Sequence, residues 1–228
     1  MHKGVFIGKD AANQDKRILI LGESHHISND PESENRTFGV PASYKTKDVV
    51  LEHINDIENE KKSLRFFQKI GQSFGYPMKT KEEKEAFWNQ VYFGNYIDVL
   101  CGIKDDAAKN YLKKGNNRRR MNDDLFQFIN ENEIDVIVCF GRLIMEYLPS
   151  LNPEYKKEED GGKLKAGEIF TGGKRDYIEN CIYIPDIEHK NSSVTLKKRL
   201  EAYGLRHPSA QGGFCAENYK DVLSVLLK

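Results

Sequence analysis

The chain has no long apolar run. Its longest, Val136 to Phe140, is five residues, far below the roughly 20 that a helix needs to cross a bilayer. No membrane partner is expected. The opening Met1-His2-Lys3-Gly4 leads into no apolar stretch of signal-peptide length. Paired cysteines are missing too: the four stand apart at 101, 139, 181 and 215. That spacing argues against a disulfide framework and against a Cys-rich metal or iron–sulfur centre, and predicts reduced thiols in a cytoplasmic protein. An excess of either charge is also lacking, with 35 Lys and Arg against 35 Asp and Glu. A nucleic-acid partner would therefore have to be met by a local basic patch. There is no internal repeat. The 39% hydrophobic content with 18 Gly and 7 Pro excludes collagen-like and low-complexity classes.

What is present reads as one α/β domain of 228 residues with two insertions, helical at about 45–90 and charged and glycine-rich at about 150–175. Ile18 to Leu21 is a short apolar run that stops at Gly22, as a buried strand meeting a turn does. A loop then runs to Tyr44. Asp48 opens an amphipathic helix with Val50, Ile54, Ile57, Leu64 and Phe67 near one face, ended by Gly71. A second helix covers about Lys81 to Val91, and Asn95 to Leu100 is strand or extended turn. Asn122-Asp123 reads as the cap of a helix running to about Glu131. Ile134 to Phe140, Gly141 and Arg142 to Leu148 form the clearest strand–turn–helix unit. Cys181 to Ile184 has strand character, Leu200 to Arg206 fits helix or strand, and the chain closes on a helix carrying Tyr219, Val222 and Leu223. The alternation predicts a three-layer α/β/α sandwich with a mainly parallel central sheet.

In such folds ligands bind beyond the carboxyl ends of strands. Those positions hold Gly22-Glu23-Ser24-His25-His26, Asn95, Gly141-Arg142 and Arg206-His207-Pro208-Ser209. Glu23 could orient water or steady a cation, and a histidine could move a proton. Ser24 and His25 are further catalytic candidates. Adjacent His25 and His26 diverge in extended backbone, and without a Cys pair or His-x-x-x-His no metal or other cofactor is expected. Pro208 holds His207 in extended backbone. Ser209 with Gly212 and Gly213 could bind a phosphate. Asn95 offers a donor and an acceptor to an amide-like edge, and Phe38 a ring to stack on. Between 104 and 120, seven basic residues face two acidic ones; Lys113, Lys114, Arg118, Arg119 and Arg120 are the candidate nucleic-acid contacts.

The order of these pieces resembles the uracil-DNA glycosylase superfamily over roughly residues 16 to 228. The pieces are Gly22-Glu23-Ser24, Thr37-Phe38-Gly39-Val40-Pro41, Tyr92-Phe93-Gly94-Asn95, the run Val136 to Gly141, His207-Pro208-Ser209, and Gly213-Phe214 before Ala216-Glu217-Asn218-Tyr219. His-Pro-Ser is the most specific of them. The resemblance implies DNA repair by base flipping and hydrolysis of an N-glycosidic bond at a deaminated or damaged base. Phe38 would stack on the flipped base, with Gly22 beside it. Asn95 would read its amide edge, His207 would hydrogen-bond its carbonyl as charge develops, and Ser209 would contact a phosphate.

Two departures are plain. The best-known members carry Gly-Gln-Asp-Pro-Tyr-His, whose aspartate positions water; here Ser24 takes that place, and Glu23 resembles the glutamate of branches with Gly-Glu-x-Pro-Gly. The family's leucine wedge after His-Pro-Ser is absent, which widens the expected partner to single-stranded or mismatched DNA. Two rival readings stand beside this one. Gly22-Glu23-Ser24-His25 also looks like the Gly-Glu-x-His opening of esterase and metal-dependent hydrolases. A catalytically inactive nucleic-acid-binding module of the same fold is the other.

Overall fold

The computed structural model describes residues 4–26, 43–58, 64–101, 107–151, 177–210 and 213–227. Its centre is a six-stranded sheet. In chain order the strands of that sheet are β1 (Phe6–Ile7), β2 (Ile18–Gly22), β4 (Tyr92–Asn95), β6 (Val136–Phe140), β8 (Ile178–Tyr183) and β10 (Leu200–Leu205). Two short ladders lie outside it: β3 (His25–His26) with β5 (Leu100–Cys101), and β7 (Ser150–Leu151) with β9 (His189–Lys190). Seven α-helices fall among the described residues: α1 (Ser43–Asn55), α2 (Arg65–Ser73), α3 (Lys81–Trp88), α4 (Ala107–Lys113), α5 (Asn117–Asn132), α6 (Arg142–Tyr147) and α7 (Glu217–Leu223). None of the described helices is long and apolar enough to cross a membrane.

The spatial order is β1-β4-β2-β6-β10-β8. β4, β2, β6 and β10 run parallel, while β1 and β8 join the edges antiparallel. The sheet is thus mixed, which corrects the expectation of a mainly parallel one. The described chain between β8 and β10 carries β9 and turns but no helix. Without a crossover helix, a strand returns to its neighbour antiparallel.

Both faces of the central strands are covered, so β2 and β6 are buried at every residue and read as unbroken apolar runs. Their side chains alternate between two cores. Leu19, Leu21, Ile137 and Cys139 pack with α4, α5 and α6. Ile18, Ile20, Val136, Val138 and Phe140 pack with α1, α2, α3 and α7. Ile18 to Leu21 pairs directly with Val136 to Cys139, residue for residue.

Several local readings change. The helix expected from Asp48 to Gly71 is two helices, α1 and α2. Gly71 lies inside α2, where a β-carbon would meet Met78 Sδ at 2.3 Å; packing, not termination, requires the glycine. The chain instead turns at Gly75, whose φ is +91°. The helix at 81 ends at Trp88 and starts at a Thr80–Glu83 capping box. Leu200 to Leu205 is a strand, and the stretch read as loop from Gly22 to Tyr44 contains β3 and the start of α1. Asn122 and Asp123 cap nothing, because α5 begins five residues earlier at Asn117. Asn122 is buried within it, accepting from Tyr96 Oη and donating to the carbonyls of Tyr147 and Asn191. The charged segment expected at 150–175 lies almost wholly outside the described residues.

Candidate active site

Among its four parallel strands the chain passes from β2 to β4 on one side, then back across to β6 on the other. That reversal puts the switch point of the sheet between β2 and β6, and open α/β sheets bind ligands beyond the carboxyl ends of the strands at such a point. The loops there begin at Gly22 and Gly141.

Gly22 lies opposite Asn95 in the parallel ladder. The ladder continues past the strands, with the amides of Tyr96 and Ile97 donating to the carbonyls of Gly22 and Glu23. Asn95 is 9% exposed, and its amide oxygen fills the space a side chain at 22 would need: a β-carbon on Gly22 would lie 2.4 Å from Asn95 Oδ1. The backbone at 22 is ordinary strand; the neighbouring amide imposes the glycine. Gly22→Ala should therefore swing the Asn95 amide away and cost binding of any ligand it reads. Calorimetric titration of the variant checks this, with melting temperature reporting the fold; affinity equal to wild type would mean that Asn95 is not part of the site.

Gly141, at φ +143°, is the second hinge, a conformation open mainly to glycine. A β-carbon there would sit 3.5 Å from Glu23 Oε2 and 3.7 Å from His207 Cδ2. Glu23 from the end of β2 and His207 from the end of β10 thus converge over one glycine at the end of β6. The Ser209 backbone N–H donates to His207 Nδ1 at 3.1 Å. With Nδ1 engaged as acceptor, the neutral ring carries its proton on Nε2.

Phe66, from α2, completes the group. Its ring lies 5.2 Å from the His207 ring, tilted by 30°, and its Cζ is 3.5 Å from the position of a β-carbon on Gly22. Lys69, one turn further along α2, donates to the Pro208 carbonyl at 2.6 Å. Sequence reasoning missed both residues. The available signal was a second aromatic beside Phe67 on an amphipathic helix, off the face that packs into the core.

The Ser24 hydroxyl oxygen is buried with no hydrogen bond of good geometry among the described residues, beside the Cys101 thiol. Burial pushes that thiol up to about 11, opposed by a contact to Ser24 and aided by the Glu23 charge. Cys101 stays protonated and is no nucleophile near neutral pH. The backbone of His25 pairs with Leu100. Ser209 is exposed, and Gly213 has φ +87° with open space around its α-carbon. Phe38 and Gly212 lie outside the described residues.

The basic residues divide. Lys113 and Lys114 are exposed at the end of α4. Arg118 is committed internally: its guanidinium donates to the carbonyls of Tyr147, Glu146 and Leu148, capping the C-terminus of α6. Arg119 lies 4.0 Å from Asp123, and Arg120 3.5 Å from Asp98, three residues beyond Asn95. Arg120 thus stands on the same edge of the sheet as the site.

Among the described residues no three His, Cys, Asp or Glu side chains gather as a metal site. All four cysteines are free thiols. No family model and no curated protein matches the sequence.

Proposed function

We propose that the protein is a divergent uracil-DNA glycosylase-like enzyme that hydrolyses the N-glycosidic bond of a deaminated or damaged base. The observation that supports the reading is that Glu23 and His207, from the ends of two different strands, converge over Gly141, while Asn95 at the end of a third stands against Gly22, the residue before Glu23. The reaction needs three things at one place. The base edge must be read, negative charge on the departing base must be stabilised, and water must be brought to the sugar carbon.

Asn95 offers both a donor and an acceptor to the base edge. His207 presents Nε2–H to a base carbonyl, its Nδ1 already occupied by the Ser209 amide. As the bond from C1′ to the base nitrogen breaks, its electron pair goes to the base, and a donor fixed in advance stabilises that charge without reorganising. Glu23 then orients the water that adds to C1′ and takes up its proton, while the carboxylate steadies the cationic sugar. The departing base anion is protonated by solvent. Ser24, in the place of the aspartate that known members use, supplies no carboxylate, so Glu23 is the group that acts.

The test is base release from oligonucleotides carrying uracil, hypoxanthine or xanthine, single- and double-stranded. The expected result is cleavage of at least one, with single-stranded or mismatched substrate preferred. Binding without cleavage of any of them would overturn the enzymatic reading in favour of a binding module.

A further inference from the structure

The helical insertion between β2 and β4 is expected from sequence to cover the sheet or to cap the site. Its α2 does both. Phe66 and Lys69, three residues apart and so on one side of the helix, both reach the loop after β10. Phe66 lies against the His207 ring, and Lys69 Nζ donates to the carbonyl of Pro208, the next residue. The same Nζ stands 5.9 Å from the Phe214 ring, on the far side of that loop. The third restraint on His207 is the Ser209 N–H at Nδ1. The loop is therefore gripped at three successive residues, two of the grips coming from one helix turn.

The rest of α2 is firmly anchored. Phe67 and Ile70 are buried among Phe93, Trp88 and Tyr219, and Phe66 itself meets Phe67 and Phe93 edge-on. A rigid helix holding a half-buried loop histidine by its ring and by the following carbonyl is how a site fixes a donor's direction.

We infer that Phe66 and Lys69 are positioning residues for His207: the insertion exists at this site to orient the imidazole, Phe66 by its ring face and Lys69 through the Pro208 carbonyl. This deepens the glycosylase-like reading and rests on it for its catalytic consequence, but the geometric claim has its own readout. The Ser209 amide is held by His207 Nδ1, so its hydrogen exchange reports how firmly the imidazole is placed.

The experiment uses the full chain with Phe66→Leu, Lys69→Met, Phe66→Tyr and Lys69→Arg, His207→Gln marking the unbonded limit. Ser209 amide exchange should rise about tenfold in Phe66→Leu and Lys69→Met, with amides of β6 unchanged. It should return towards wild type in Phe66→Tyr and Lys69→Arg. In the base-release assay kcat should fall about tenfold, while KM stays within about twofold, because placement of a donor is felt in the transition state. Lys69→Met removes no core side chain, so it keeps the test open if Phe66→Leu proves unstable. Unchanged Ser209 exchange in both Phe66→Leu and Lys69→Met would overturn the inference. A wild type inactive on every substrate would instead overturn the functional reading, and the exchange result would still decide the positioning role.

Discussion

His207→Ala should lower base release by about a hundredfold or more while leaving the protein folded, the usual loss when a preorganised donor at developing charge is removed. The size follows from what the ring does. Its Nδ1 is satisfied by a backbone amide, so Nε2–H is a donor without a competing tautomer. It also stands beside Gly141, as does the Glu23 carboxylate. Truncation removes the donor and leaves the Ser209 amide without its acceptor. Single-turnover rates on the best oligonucleotide measure the effect, with circular dichroism as the control for folding. Equal rates in wild type and His207→Ala would refute this mechanism, whatever family the fold belongs to.

The elements that carry this site were readable for a physical reason. β2 and β6 sit in the middle of the sheet with both faces covered, so their sequences are short apolar runs ending at glycine. Strand ends are where such folds place chemistry; Glu23 follows β2, whereas Asn95 ends β4, a strand expected to begin rather than end there, and His207 follows β10, a segment that fits helix or strand in sequence. Gly141 was legible as a turn residue, whereas Gly22, read as one, is the last residue of β2, and the neighbouring Asn95 amide rather than a turn requires the glycine there.

What was not readable depends on contacts between distant segments. Phe66 sits off the core face of an amphipathic helix, where a sequence says only that the position is half-buried. Its role appears once α2 is packed against the loop after β10. Arg118 looks in sequence like part of a basic run with Arg119 and Arg120, yet its guanidinium closes the end of α6. Gly71 looks like a helix stop and is a packing site for Met78. The antiparallel edges were missed because two-residue β1 and the half-buried β8 give no signal of direction, only of burial.

Acid should destabilise the protein steeply between about pH 6.5 and 4, and two histidines away from the site account for much of it. His53 is 1% exposed and His189 3%. Burial, joined by the Lys84 charge against the opposing pull of Asp56, lowers His53 to about 4. Burial alone lowers His189 to about 4. His189 lies between the rings of Phe126 and Tyr183 at 5.4 and 5.3 Å, with neither ring nitrogen hydrogen-bonded among the described residues. His53 packs on Phe67 and Trp88, and Lys84 Nζ donates to its carbonyl and to that of Asp56, closing the end of α1. The folded protein holds both imidazoles neutral, whereas the unfolded chain protonates them near pH 6.5. Stability is therefore intact above that value and falls as pH drops towards 4, where the unfolded state binds the extra protons. Each histidine should contribute a slope of about 1.4 kcal/mol per pH unit across the window, or about 3 kcal/mol in all. Urea unfolding at intervals from pH 7.5 to 4 measures it. His189→Phe, which suits the aromatic surroundings and removes two unpaired nitrogens, should leave stability at pH 7.5 equal or higher and flatten the acid slope by about half of the histidine contribution. If the variant loses stability with the same slope as wild type, His189 is protonated in the folded state and the account of its burial is wrong.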